Sequence, residues 1–264
     1  MSRPITARRR ALESVAYALA FPAALIALWA GSALITPNRF FPGPARVMEA
    51  FVSTWLTDAF VVDVLPSLVR LALGIVLSIV LGISLGAVIG SFWVARSFLE
   101  PILEFFRAIP PPVLIPVLML LLGITDEMKI VVIVSGAIWP VLLNTIEGVR
   151  AIDPVMRETA ATYHLTRGSR VFSLVLPGAA PQIMAGVRQS LSVALILMVI
   201  SEMFASSSGL GYRISYFQRN YLIAEMWSGI VLLGLIGIAL SLIFQAAERV
   251  VLAWYHGLKE IERA

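Results

Sequence analysis

Residues 64–92 read VLPSLVRLALGIVLSIVLGISLGAVIGSF, long enough to cross a bilayer as one helix and charged only at Arg70. A spanning helix needs about 20 mostly apolar residues, because hydrocarbon offers no partner to an open backbone amide and a helix satisfies its own. Within the stretch Gly74, Ser78, Gly82, Gly86 and Gly90 recur at every fourth position. That spacing lines one helix face with almost no side-chain volume. A neighbouring helix can then come close and gain the van der Waals contact that drives helix association in lipid. The stripe predicts packing and carries no chemistry.

Five more stretches of this kind bring the expected spans to Ser14–Ile35, Val64–Phe92, Phe98–Leu122, Met128–Val149, Ala179–Phe204 and Met226–Trp254. Composition agrees, since 59% of the 264 residues are hydrophobic and 14% charged, against roughly 45–50% and about 25% in soluble chains. The expected fold class is an all-α integral membrane protein with six transmembrane helices. The chain would divide into an N-terminal segment (1–13), a first span (14–35), an outer segment (36–63), a five-helix core (64–254) and a tail (255–264). Within 36–63, Val47, Phe51, Val52, Trp55 and Leu56 repeat at helical spacing and suit a helix lying in the membrane interface as a connector.

Cysteine is absent, which excludes disulfides, thiol nucleophiles, zinc–thiolate sites and iron–sulfur clusters, and His164 and His256 are the only imidazoles. The sequence contains no Gly-x-Ser-x-Gly elbow, no His-Glu-x-x-His and no phosphate loop. The chain therefore reads as a non-enzyme that binds no cofactor or metal. If nucleotide energy is used, another chain must bind the nucleotide. The net charge of +4 comes from basic residues placed between apolar runs, an arrangement suited to anionic headgroups and not to a nucleic-acid groove.

Lys and Arg in alternate flanks set the orientation. Arg3, Arg8, Arg9, Arg10, Arg96, Arg150, Arg157, Arg167, Arg170, Arg249, Lys259 and Arg263 fall on one side, and Arg39, Arg46, Lys129, Arg213 and Arg219 on the other. The richer side is cytoplasmic by the positive-inside rule, which places both termini there.

Several groups inside the spans are candidates for a pathway or gate. Pro110, Pro111 and Pro112, followed by Pro116, each remove an amide donor, so the third span must bend or open. A transport path and a plain packing kink both account for that. Arg107 stands just before the break with Glu104 and Glu100 at helical spacing, which predicts ion pairing near the cytoplasmic surface, an anion site being the alternative. Asn144, Arg188 and Glu202 are the other polar candidates, with Gln189 beside them. Glu202 and Arg70 lie near the outer ends of their spans, where water can solvate them.

The one sizeable cytoplasmic loop, 150–176, is ordered in its pattern. Asp153 before Pro154 is a helix start, because the carboxylate caps open amides and proline is tolerated in the first turn. A short helix from Pro154 to Tyr163 is expected, then a turn and a second helical stretch ending at Pro177.

This loop resembles that of the membrane-spanning permease subunits of bacterial ATP-binding-cassette (ABC) importers, in the nitrate, sulfonate and taurine group. The family's Glu-Ala-Ala, Gly and Leu-Pro signature maps onto Glu158-Thr159-Ala160, position 164 and Leu176-Pro177. The sequence departs at Thr159 and at His164, where the family has glycine. Arg107–Pro116, Gly123-Ile124, Lys129, Asn144–Pro154 and Ser206-Ser207-Ser208-Gly209-Leu210-Gly211 extend the similarity over roughly residues 40–250. The resemblance implies a type I ABC importer permease fold in a bacterial inner membrane. It implies a second permease subunit, with a homodimer expected, two ATPase subunits carrying ATP and Mg, and a periplasmic or lipid-anchored solute-binding protein. Asp153, Pro154, Glu158, Ala160, Ala161, His164 and Leu165 would couple to the ATPase. The solute would be a sulfonate, taurine or nitrate, with a heterocyclic thiamine- or flavin-related precursor as the alternative. An ATP-independent secondary carrier is the competing class.

Overall fold

The computed structural model describes residues 5–36, 38–204 and 206–255, with side chains from Ala20 onward except Arg167. The described chain is helical: α1 (Ile5–Ile35), α2 (Pro44–Trp55), α3 (Leu65–Ser91), α4 (Trp93–Ala108), α5 (Ile115–Leu122), α6 (Asp126–Arg150), α7 (Pro154–Thr162), α8 (Arg167–Arg170), α9 (Leu176–Phe204), α10 (Leu210–Arg219) and α11 (Ile223–Val251). The tail expected at 255–264, apart from Tyr255, and the first four residues of the 1–13 segment lie outside the described residues. Two compact units form, Met1–Ala59 with Ile214–Leu232, and Phe60–Arg213 with Leu233–Ala264.

The larger unit is built around α6, which lies between α3 and α9. The small-residue stripe of α3 faces α6 as its spacing predicts. A Cβ placed on Gly74 would come within 2.5 Å of Ile133 Cγ2, one on Gly82 within 2.8 Å of Val141 Cβ, one on Gly86 within 2.6 Å of Thr145 Cβ and one on Gly90 within 2.9 Å of Val149 Cβ. Ser78 is fully buried in the same row, and its hydroxyl donates to the Gly74 carbonyl. On the far side of α6, Gly186 of α9 approaches the Pro140 carbonyl just as closely. Met128, Val132, Ile133, Ala137 and Val141 of α6 and Ala179, Ala194 and Met198 of α9 are fully enclosed.

Four described helical stretches are long and apolar enough to cross a membrane: Phe60–Ser91, Asp126–Arg150, Gly168–Phe204 and Ile223–Val251. Ala20–Ile35 is a shorter apolar stretch within the first expected span. The expected third span, 98–122, is not one helix. It is α4 followed by a short 3-10 turn at Pro111–Leu114 and α5, with an 82° bend between the two arms. Ile109 and Pro110 are extended there, and three consecutive prolines supply no amide with which to continue the ladder. Gly123, at φ 71°, then turns the chain into α6.

The fifth span also differs from expectation. No separate helix ends at Pro177; a π turn at Val171–Val175 joins α8 to α9 in one continuous stretch. The Leu176 amide donates to the carbonyl of Val171, five residues back, which widens the turn where the Pro177 ring presses on the backbone. Pro66 follows a second π turn, Phe60–Val64.

In the smaller unit, the predicted interfacial helix is α2, but its apolar face is divided. Val47 and Trp55 are buried in the protein while Met48, Val52 and Leu56 are exposed. Trp55 stacks edge-on against Phe217, and its indole N–H donates to Ser228 Oγ at 2.9 Å. Trp29, Phe41 and Trp227 form an aromatic row, with both indoles donating to carbonyls of the 40–42 turn.

Candidate functional site

The connector between α6 and α9 is built as expected from Asp153. Its Oδ1 accepts the Val155 amide at 2.8 Å, and Pro154 occupies the first turn of α7. The C-terminal end is closed by His164 at φ 53°. The His164 amide donates to the Ala161 carbonyl at 3.0 Å and the Leu165 amide to the Ala160 carbonyl at 3.1 Å. These are the paired bonds of a Schellman cap, so His164 itself closes the turn in the left-handed region. Ala160 is the one residue of α7 buried against the protein. Arg157 donates to the Val149 carbonyl and ties the helix back to α6.

The outer surface of this connector is apolar without being covered. Val155 is 66% exposed, Met156 59%, Tyr163 76% and Phe172 74%, with Leu165 also exposed. Glu158 and Ala161 are exposed beside them. A rigid, capped helix that shows large apolar side chains around one carboxylate has the composition of a protein-docking surface.

The pathway candidates are dispersed. Arg107 pairs with Glu104 at 2.6 Å, both exposed, but Glu100 pairs instead with Arg96 at 3.9 Å, because a residue four positions back along the helix reaches it more directly. Asn144 donates to the Pro140 carbonyl at 2.8 Å, at the crossing where Gly186 packs, and so serves that junction. Arg188 is exposed on α9, forms an ion pair with Glu248 and lies 5.5 Å from the ring centre of Phe244. It borders a cleft of about 110 Å³ between α9 and α11, lined also by Leu191, Leu195, Leu240 and Ser241. Pro110–Pro112 form the elbow described above.

Glu202 and Arg70 overturn the expectation that they are solvated, since their side chains are 0% and 5% exposed and they form an ion pair at 2.7 Å. Around them lies a knot of polar side chains and backbone amides. Ser67 Oγ is 2.7 and 2.8 Å from the two Glu202 oxygens. Arg70 Nε donates to Asp126 Oδ1 at 2.9 Å, and Lys129 Nζ to the same oxygen at 3.2 Å. Three successive amides at the start of α10 end on side chains: Gly209 on Asp63 Oδ1 at 3.1 Å, Leu210 on Ser67 Oγ at 2.9 Å, and Gly211 on Glu202 Oε2 at 3.0 Å. Gly209 has φ 119°, and a Cβ there would lie 2.5 Å from the Glu202 carboxyl carbon. Sequence reasoning missed Asp63, Ser67, Asp126 and Lys129 as members. Part of the signal was present, because Arg70 is the next position back in the four-residue stripe that starts at Gly74. Breaking such a buried pair by removing one partner costs about 3–5 kcal/mol. Among the described residues no cluster of three His, Cys, Asp or Glu side chains is arranged to hold a metal.

Residues 59–255 match the family model described as "Binding-protein-dependent transport system inner membrane component". The chain belongs to this family. A probable ABC transporter permease protein of Brucella melitensis is 33% identical over 213 residues, 81% of this chain and 87% of that one. A putative aliphatic sulfonates transport permease protein of Bacillus subtilis is 29% identical over 238 residues, 89% of this chain and 86% of that one. The fold is shared with a chain of the MetNI methionine ABC transporter, solved in inward-facing conformations, at a TM-score of 0.51 and 21% identity over 79% of this chain and 94% of that one. The permease is thus the membrane subunit of an ABC importer, a transport subunit and not a catalytic one, with several membrane-spanning helices.

Proposed function

We propose that the permease forms one half of the translocation pathway of an ATP-driven importer in a bacterial inner membrane, with six spans and both termini cytoplasmic. A second permease subunit, in the simplest case another copy, completes the pathway. Two ATPase subunits carry the ATP and Mg, and a solute-binding protein delivers the solute from outside. The solute is a small anion such as a sulfonate, taurine or nitrate, a reading supported by the sulfonate name of the Bacillus relative and by the arginines at 107 and 188. Arg107, Arg188 and the Pro110–Pro112 elbow are the pathway residues in this reading, and Asn144 sets the helix crossing beside them.

The observation that carries the proposal is the capped α7, with Val155, Met156 and Tyr163 exposed around Glu158. Asp153 and Pro154 fix its start, Ala160 seats it, and Ala161, His164 and Leu165 close its end. The ATPase grips this helix, and its closure reaches α6 and α9 as a rigid-body movement. Charge reversal tests it. Glu158→Lys leaves the permease inserted and folded, but the ATPase chain no longer co-purifies and ATP-dependent uptake is lost. Normal uptake by that variant, or uptake without any ATPase, refutes the proposal.

A further inference from the structure

The polar knot lies at the opposite ends of the same helices that flank α7. α6 runs from Asp126 to Arg150 and then into Asp153, and α9 runs from the far end of the connector to Glu202. At 1.5 Å per residue these are rods of about 37 and 43 Å. Their far ends are bonded to each other through one side chain of α3, since Arg70 reaches Asp126 with Nε and Glu202 with Nη1. The same side chain approaches the Ser208 carbonyl at 3.4 Å, and the next three amides end on Asp63, Ser67 and Glu202. The start of α10 therefore cannot shift relative to α3, α6 and α9 without exposing buried charges to unpaired surroundings. Replacing a buried ion pair by well-packed apolar side chains is often neutral for stability, so stability alone does not account for a knot of directional bonds.

We propose that Arg70 and Glu202 are positioning residues through which the state of the docked binding protein reaches the coupling helix. This rests on the importer reading above. α10 and the turn after it show Tyr216, Gln218, Arg219, Asn220 and Tyr221 at the surface, and tyrosine and arginine are among the residues enriched at protein–protein interfaces. By the charge count this segment is extracytoplasmic, where the binding protein docks. A displacement of α10 is delivered by the three held amides to the outer ends of α6 and α9, and those rods carry it to α7.

The test uses the complete transporter in lipid nanodiscs, with ATP hydrolysis measured with and without solute-loaded binding protein. The double variant Arg70→Met/Glu202→Gln removes one charge of each sign, keeps an acceptor for the Gly211 amide and leaves Lys129 paired with Asp126. It is expected to assemble with the ATPase and keep basal hydrolysis, while stimulation by the binding protein falls about tenfold, within the usual range of couplings between sites. Ser67→Ala, nearly unchanged in volume, is expected to fold and to lose part of the stimulation. Full stimulation in either variant overturns the proposal. So does a loss of stimulation matched by an equal loss of basal hydrolysis and thermal stability, which marks a merely structural role. If the wild-type permease binds no ATPase, it is the importer reading that fails and not the knot.

Discussion

Gly86 is a position in the α3 stripe where the structure sets a steric limit that includes backbone. A Cβ added there would lie 2.6 Å from Thr145 Cβ and 2.9 Å from the Leu142 carbonyl oxygen, about 0.8 and 0.5 Å short of the 3.4 Å at which ordinary contact begins. One of the two obstacles is backbone, and Thr145 is fully buried with its hydroxyl bonded to the Val141 carbonyl, so neither moves aside cheaply. Overpacking of this kind costs about 1–3 kcal/mol, and the better helix preference of alanine offsets ~1 kcal/mol of it. Gly86→Ala should therefore lower stability by up to ~2 kcal/mol, a fall in Tm of roughly 4–8 °C for a domain of this size. Gly86→Leu adds three more carbons against the same wall and should cost beyond ~3 kcal/mol, with poor yield of the folded permease. Gly234, where nothing lies within 4 Å, is the control: Gly234→Ala should be neutral or raise Tm slightly. The assay is thermal unfolding in detergent followed by size-exclusion chromatography. A wild-type Tm for Gly86→Leu, or equal losses at 86 and 234, refutes the packing argument.

His164→Val places a β-branched side chain at φ 53°, costing about 1–2 kcal/mol, and should speed hydrogen exchange of the 160–165 amides by a factor of about 5–30, while His164→Gly leaves it unchanged or slower. Equal exchange in the two variants would show that the turn tolerates any residue. Arg188→Ala removes an exposed ion pair worth about 0–1 kcal/mol, so Tm should hold while solute uptake falls about tenfold, ~1.4 kcal/mol; unchanged uptake takes Arg188 out of the pathway.

The α3–α6 packing was legible in the sequence because it depends on one periodicity in one helix. The proline break was legible for the same reason, since Pro110–Pro112 remove local donors whatever surrounds them, and Asp153-Pro154 announced a helix start by local chemistry alone. Glu202 was not, because its burial depends on Ser67, Arg70 and Gly211 arriving from other segments. Arg70 stood in between. Its place in the stripe was visible, but arginine in a span also has the option of reaching to the surface, and only the opposed carboxylates of Asp126 and Glu202 decide against it. α7 is a similar case, since the exposure of Val155, Met156 and Tyr163 could not be read from their spacing alone.

The prolines show how the same residue can leave a span intact or break it. Pro66 and Pro177 each stand two residues after a π turn, 60–64 and 171–175. In the second case the Leu176 amide reaches back five residues to Val171, so the ladder passes the missing donor by widening one turn. Pro101 and Pro140 are likewise carried inside their helices. Pro110, Pro111 and Pro112 leave three consecutive positions without an amide, and no widened turn can supply a donor there. The chain instead closes a tight turn from the Val113 amide to the Pro110 carbonyl at 3.0 Å and departs at 82°. The break between α4 and α5 therefore follows from three missing donors in a row.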